Sequence, residues 1–483
     1  MNKKKVRVRY APSPTGYLHI GGARSALFNY LYAKHYGGDF VVRIEDTDIE
    51  RNIAGAEESQ IKDLIWLGII PDESPENPNP AYAPYRQMEK LNVYKKYADL
   101  LIEKGYAYKC YCSEEELEIS REAQLARGIA SARYDGHCLH LTPEQVAKYE
   151  AEGREPTIRI HMPKNKTIAF NDLVRGKVSF NTDDIGDWII VKSNGIPTYN
   201  FAVVIDDYMM AITHVMRGEE HLSNTPKQIQ LYDYFGWEAP EFGHMTIIVN
   251  ESGKKLSKRD LNILQFMSQY RELGYLPEAI FNFILLLGWA PSDNREIFTI
   301  EEAIAVFDGN GLSSSPSKFD PDKMMWMNSQ YIKNLPERKY IEFISTFINK
   351  IPGINCFSDQ QKAYLASLYQ NEIKFGAEII ELATPLVAFR PLAEGEDLIK
   401  VKDSLSQEVF KLFIDLLQEA VDLEPETLKS LFKNCQKTLN VKGSSFFMPL
   451  RLALTGQTHG VELVSIIKFL GKAESCRRIR YYL

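Results

Sequence analysis

Long apolar runs, abundant cysteine and any surplus of positive charge are all missing from this 483-residue chain. The longest greasy stretch, AIFNFILLLGWA at 279–290, falls well short of the roughly 20 residues that span a bilayer, so it reads as a buried helix. The opening MNKKK imitates the basic start of a secretion signal, but VRVRYAPSPT follows where an apolar run is required. A cytoplasmic protein is expected. Six cysteines are too few for a disulfide framework in so long a chain, and reduced thiols are the expectation. A net charge of −7 excludes gripping nucleic acid by bulk attraction, so any such surface must be a local basic patch. Neither G-x-G-x-x-G nor G-x-x-x-x-G-K-[ST] occurs, which removes the two commoner phosphate fingerprints. There is no internal repeat and no low-complexity block.

What is present is an ordinary globular composition, 45% hydrophobic and 25% charged, with room for about three domains. PDESPENPNPAYAP at 71–84 reads as a surface loop, because its prolines and Asn-Pro pairs forbid regular structure. Residues 86–104 have helical period, with Leu91, Tyr94, Ala98 and Leu101 on one face and Gly105 as the stop. From 106 to 198 the texture becomes short alternating segments, TIRIH, IAFND, KVSFN and WIIVK, as in an α+β insertion. YNFAVVIDDYMMAITHVMRG from 199 reads as strands rich in Val and Ile, followed by a helix from about Ser223 to Phe235. Beyond 336 the period is almost wholly helical.

The chemistry centres on RYAPSPTGYLHIGGAR, Arg9 to Arg24. Before it, Val6, Val8 and Tyr10 alternate with Arg7 and Arg9, as in a strand. After it, apolar residues recur at helical spacing to Gly37-Gly38, and FVVRI reads as a second strand. This is the crossover of a parallel sheet. Small residues Gly21, Gly22 and Ala23 at the helix start leave backbone N–H groups open to an anion, with His19 as an added donor. A second motif, Gly253-Lys254-Lys255-Leu256-Ser257-Lys258-Arg259, is either a solvated charged turn or a Gly-hinged loop carrying ammonium groups to phosphate. Arg9 and Arg217 both sit at carboxyl ends of expected strands, where open α/β sheets bind ligands. Each is a candidate fork for a carboxylate, or a structural ion-pair partner of Glu45 or Glu219.

Cys110-Tyr-Cys112 is followed, after 25 residues, by Cys138-Leu-His140. Residues two apart in an extended segment face one side, so the pairs present three sulfurs and a nitrogen, a normal tetrahedral zinc set. His137 is an alternative to His140, and plain buried thiols are the bland reading.

RYAPSPTGYLHIGGAR, VVRIEDTD, PTYNFAVVIDD, THVMRGEEH, KKLSKR and LPEAIFNFILLLGW together resemble the glutamyl-tRNA synthetases of bacterial type, within the class I aminoacyl-tRNA synthetases. The resemblance covers essentially the whole chain. It implies a Rossmann-like catalytic fold in two halves, 1–105 and 199–250, interrupted by an acceptor-binding α+β insertion at 106–198. It also implies a stem-contact domain at 251–333 carrying the KLSKR loop, and an all-helical anticodon-binding domain at 334–483. The implied activity is ATP-dependent ligation of L-glutamate to tRNA(Glu) through a glutamyl-adenylate, by a monomer that uses Mg²⁺ and needs bound tRNA for the first step. The implied residues are Arg9, Ala11, Ser13, Glu45, Tyr199 and Arg217 for glutamate, and His19, Gly21, Gly22, Lys255, Ser257 and Lys258 for ATP, with His19, Lys255 and Lys258 catalytic. Zn²⁺ on Cys110, Cys112, Cys138 and His140 would be structural. Val203 and His221 depart from residues that some relatives carry. Three other readings stand beside it: a glutaminyl relative, which the helical tail disfavours; a truncated relative that glutamylates a modified tRNA base, which the presence of the tail argues against; and a non-catalytic tRNA-binding or regulatory protein, which would be expected to have lost His19 or Lys258.

Overall fold

Strand β1 (Arg7–Tyr10) runs parallel to β2 (Asp39–Val42), with Arg7 opposite Asp39 and Tyr10 opposite Val42. Between them lies α1 (Ile20–His35), so the expected crossover is observed. Val8, Phe40, Val41 and Val42 are completely buried, which explains why β2 reads as a continuous apolar run, while in β1 the arginines that alternate with the apolar residues are buried as well. Lys34 and His35 occupy the last turn of α1, where cations complement the helix dipole. At Gly38 a side chain is impossible, since a Cβ would lie 2.3 Å from the Val6 carbonyl oxygen.

The computed structural model describes residues 4–129, 131–256 and 264–483. They fall into two compact units, Met1–Tyr270 with Ile280–Pro321, and Arg271–Ala279 with Asp322–Leu483. In the first unit, β3 (Ala107–Cys110), β4 (Thr157–Ile160) and β7 (Trp188–Val191) form an antiparallel sheet. The hairpin of β5 (Thr167–Asp172) and β6 (Gly176–Asn181) leaves that sheet and joins another. There Asp172 pairs with Phe242 of β9 (Glu241–Met245), which runs parallel to β8 (His214–Gly218). The four segments read from the alternation at 157–192 are thus all strands, but they serve two sheets.

One expected strand is a helix. Tyr199–Met209 is α-helical, with every residue from Phe201 to Asp207 buried. A run of Val and Ile enclosed on all sides carries no period to separate strand from helix, and tertiary burial then overrides β-propensity. The helix brings Asp206 and Asp207 into the interior. Asp206 accepts from Lys90 Nζ at 2.9 Å and from Gln87 and Tyr94, while Asp207 meets two arginines described below.

The second unit is helical, and among its described residues there is no strand. Its long amphipathic helices include Glu337–Ile348, Ser404–Glu419 and Pro425–Thr438, and Leu463–Arg480 is helical on both sides of a kink at Gly471, where φ is +77°. They enclose a core of Tyr340, Ile344, Phe410, Phe413, Phe446 and their neighbours. The apolar run at 279–290, which from Ile280 on belongs to the first unit, contributes to the buried helix Pro277–Leu286.

Candidate functional site

A cavity of about 640 Å³ opens in the first unit at the carboxyl ends of β1 and β8. It collects Arg9 from β1 itself, Ala11 and Ser13 from the loop that follows, His19, Gly21 and Gly22 from the cap and first turn of α1, and Glu45 from beyond β2. Tyr199, Arg217 and Lys255 complete its wall. Ten residues proposed from sequence therefore face one space. Ser257 and Lys258 lie outside the described residues.

On one side the backbone is arranged for an anion. His19 caps α1, its Nδ1 accepting the Gly22 N–H at 3.1 Å. The neutral ring then carries its proton on Nε2, as a donor. Gly22 must stay bare, because a Cβ there would lie 2.8 Å from Tyr10 Oη. Lys255 is presented by a turn in which Asn250 Oδ1 accepts from the N–H groups of Ser252 and Lys254, and Gly253 takes φ +77°. It bridges back to Val249 beside the cavity.

On the other side the two arginines differ in their partners. Arg9, 4% exposed, donates through Nε to Asp207 at 3.1 Å. Asp207 is shared with Arg43 Nη1 at 2.8 Å, and Arg43 also donates to Glu45 Oε1 at 3.2 Å. Burial would raise the Asp207 carboxyl, but Arg9 and Arg43 outweigh it and hold it below the usual range. Glu45 goes the other way, since its burial outweighs Arg43 and Arg9. Arg217, 6% exposed, has no carboxylate partner among the described residues. Its guanidinium donates to four neutral acceptors: His244 Nε2, Tyr199 Oη, Thr225 Oγ1 and Gln228 Oε1, at 3.2, 3.2, 2.9 and 2.8 Å. Burial accordingly lowers its pKa. Neither pairing considered from sequence forms: Glu45 is taken by Arg43 and Glu219 by Arg175. A buried cation held by neutral groups at a cavity wall is a site for an anionic ligand.

Val203 is fully buried in the core rather than at the cavity. His221 lines the cavity, its pKa pushed down to about 4 by burial and by Arg217. Arg43, Asp207, Thr225, Gln228 and His244 are not among the site residues expected from the sequence, yet all five take part in the site. Their partners lie up to 198 residues away, and only Arg43 and Glu45, two apart in the extended stretch after β2, carry a local signal.

Cys110, Cys112 and Cys138 converge, their sulfurs all within 4.8 Å of one another. His140 does not join them. Residues His137–His140 form a 3₁₀ turn with Cys138 buried and both histidines exposed. At three residues per turn, positions two apart point to different sides, so Cys138 and His140 do not face one side as they would in an extended segment. Instead Tyr134 Oη stands 3.4 Å from the sulfurs of both Cys110 and Cys112. Arg159 Nε donates to Cys110 at 3.2 Å and Tyr111 N–H to Cys138 at 3.4 Å. Hydrogen bonds from Cys112, Cys138, Tyr134 and Arg159 lower the Cys110 thiol, while the same shared contacts raise Cys112 and burial raises Tyr134, so the first proton to leave the cluster is drawn from the three sulfurs rather than from the phenol. Three sulfurs at this separation with a phenol oxygen beside them fit a tetrahedral zinc ion.

Residues 5–326 match the sequence profile of the catalytic domain of class I tRNA synthetases (E and Q), and residues 326–483 that of an anticodon binding domain. Among curated proteins the chain is 55% identical to a glutamate-tRNA ligase of Geobacillus thermodenitrificans, over 99% of this chain and 98% of that one. It is 51% identical to the glutamate-tRNA ligase of Bacillus subtilis, over 99% of both. Among solved structures, a glutamate tRNA ligase from Elizabethkingia meningosepticum, in complex with its amino acid, superposes with a TM-score of 0.90 at 36% identity over 99% of both chains.

Proposed function

The chain belongs to the class I tRNA synthetases, among the glutamate-tRNA ligases, and on that footing we propose that its first-unit cavity is where glutamate and ATP meet. The enzyme charges tRNA with glutamate through an aminoacyl-adenylate. A glutamate α-carboxylate oxygen attacks the α-phosphorus of ATP, the α–β phosphoanhydride bond breaks, and pyrophosphate leaves. The terminal adenosine hydroxyl of tRNA(Glu) then attacks the activated carbonyl and AMP departs. No group of the chain becomes covalently bound, so catalysis is positioning and charge stabilisation.

The observation that carries the amino-acid assignment is Arg217, buried and without a carboxylate partner among the described residues. Glutamate's side-chain carboxylate satisfies it, whereas glutamine leaves the cation unpaired, and that asymmetry discriminates strongly. Glu45 takes the substrate ammonium, with Arg9, Ala11, Ser13 and Tyr199 around it. His19 donates from Nε2 to the phosphates, Gly21 and Gly22 leave the helix terminus open, and Lys255, Ser257 and Lys258 follow the charge that develops on pyrophosphate. Mg²⁺ bound to ATP supplies further neutralisation of that charge.

The segment 106–198 would receive the acceptor end, 251–333 would contact the stem, and the helical 334–483 would read the anticodon of a tRNA bound by a monomer. Zn²⁺ would be structural, held by the three cysteines and Tyr134, tying β3 to the segment before Cys138. The test is aminoacylation with glutamate and glutamine against purified tRNA(Glu) and tRNA(Gln). Glutamyl product on tRNA(Glu) with no glutamine activation is expected. Charging by glutamine, or no charging, would overturn the reading.

A further inference from the structure

Behind Arg217 lies a buried pair that the reaction scheme leaves unused. His244 of β9 stands opposite Arg217 of β8 and is fully buried. Its Nε2 faces Arg217 Nε at 3.2 Å and Thr225 Oγ1 at 2.9 Å, while its Nδ1 lies 2.5 Å from Asp172 Oδ2. The other Asp172 oxygen accepts the N–H groups of Val174, Arg175 and His244 at 2.9, 2.9 and 3.1 Å. Four donors thus converge on one buried carboxylate, which keeps it an anion despite its burial.

The geometry settles where the imidazole proton lies. A guanidinium has no lone pair, so Arg217 can only donate, and His244 Nε2 must be the bare, accepting nitrogen. The single ring proton is on Nδ1, donated to Asp172. We propose that His244 is a positioning residue for substrate selection: Asp172 locks its tautomer, and Nε2 then orients the Arg217 guanidinium without neutralising it. A carboxylate in direct contact would aim Arg217 equally well but would also pair with it, as Asp207 pairs with Arg9. Interposing a neutral ring moves the anion one residue back and leaves the cation's charge for the ligand. Asp172 ends β5 of the hairpin that joins β9, so the 106–198 segment supplies the anchor of the glutamate site.

This proposal rests on Arg217 receiving the glutamate side-chain carboxylate, and the test separates the two. Steady-state aminoacylation with the full chain and tRNA(Glu) is compared for H244N, H244Q and R217Q. Asn at 244 keeps a short amide within reach of Asp172 but removes the acceptor of Arg217 Nε, leaving the other three in place. Gln at 244 places a carbonyl near the Nε2 position. H244N is expected to raise the glutamate KM at least ~10-fold, the worth of one charge-assisted hydrogen bond, with the ATP KM unmoved. H244Q is expected to recover most of that loss, staying within about 3-fold of wild type. A role confined to packing or to the Asp172 bond gives the reverse order, and that order, or equal losses, would overturn the proposal. If R217Q leaves the glutamate KM unchanged, the carboxylate assignment itself falls. If R217Q raises it and H244N does not, only the positioning role falls. Independently of folding in the variants, histidine-selective ¹⁵N NMR of the wild-type protein should show a buried neutral Nδ1–H imidazole at His244. An Nε2–H or doubly protonated ring would refute it.

Discussion

Replacing Glu73 with Gln tests the anchor that holds β1, and with it Arg9, in place. Glu73 lies in the proline-rich loop at 71–84 with its side chain 9% exposed. It accepts from both terminal nitrogens of Arg7 at 2.9 Å, from Tyr85 Oη at 2.5 Å and from Asn79 Nδ2 at 3.1 Å. Burial alone would raise its carboxyl, but these hydrogen bonds win and bring it from 4.5 to about 2. Each unit of such a difference is worth about 1.4 kcal/mol, so the ionised carboxylate contributes roughly 3 kcal/mol at neutral pH. The folded pKa is below the unfolded one. The contribution is therefore complete above pH 4.5 and is lost as pH falls through about 2. Glu73→Gln keeps the size and removes the charge, while Arg7 retains Asp39 at 2.9 Å. Urea unfolding at a series of pH values should show the variant about 3 kcal/mol less stable at pH 7, with the gap narrowing only below pH 4.5. A gap under about 1 kcal/mol at pH 7, the value of a surface pair, would refute the reasoning. So would a gap that does not change down to pH 3.

Asp207→Asn leaves Arg9 and Arg43 short of one buried counter-charge, and is expected to cost about 3–5 kcal/mol in urea unfolding and to raise the glutamate KM. Gly22→Ala sets a Cβ 2.8 Å from Tyr10 Oη over the helix terminus; ATP KM in aminoacylation should rise about tenfold, with a smaller change for glutamate. Under reducing, chelator-free conditions the purified protein should carry about one zinc per chain, and Cys112→Ser should lose it while His140→Ala keeps it. Absence of zinc in the wild-type protein would contradict the metal reading. ATP–pyrophosphate exchange with glutamate should require tRNA, and robust exchange without it would count against the proposed order of steps.

The amino-acid order by itself determined what depends on near neighbours. The β1–α1–β2 crossover follows from a period of two giving way to one near 3.6, and the glycine pair at a helix start marks an anion site whatever surrounds it. The alternating segments at 157–192 follow in the same way, because each property repeats within a few residues. His140 departs from its expected place because residues 137–140 form a 3₁₀ turn and not an extended segment. Tyr199–Met209 is a helix with the composition of a strand, because burial of every residue from Phe201 to Asp207 erases periodicity. Charge compensation is decided only in three dimensions, since a buried ion pairs with whatever the fold delivers to it, at any sequence distance. Arg9 and Arg217 look alike in sequence, each at the end of a strand. Tertiary structure alone gives the first Asp207 and the second a neutral His244, and so decides which arginine keeps its charge for a ligand.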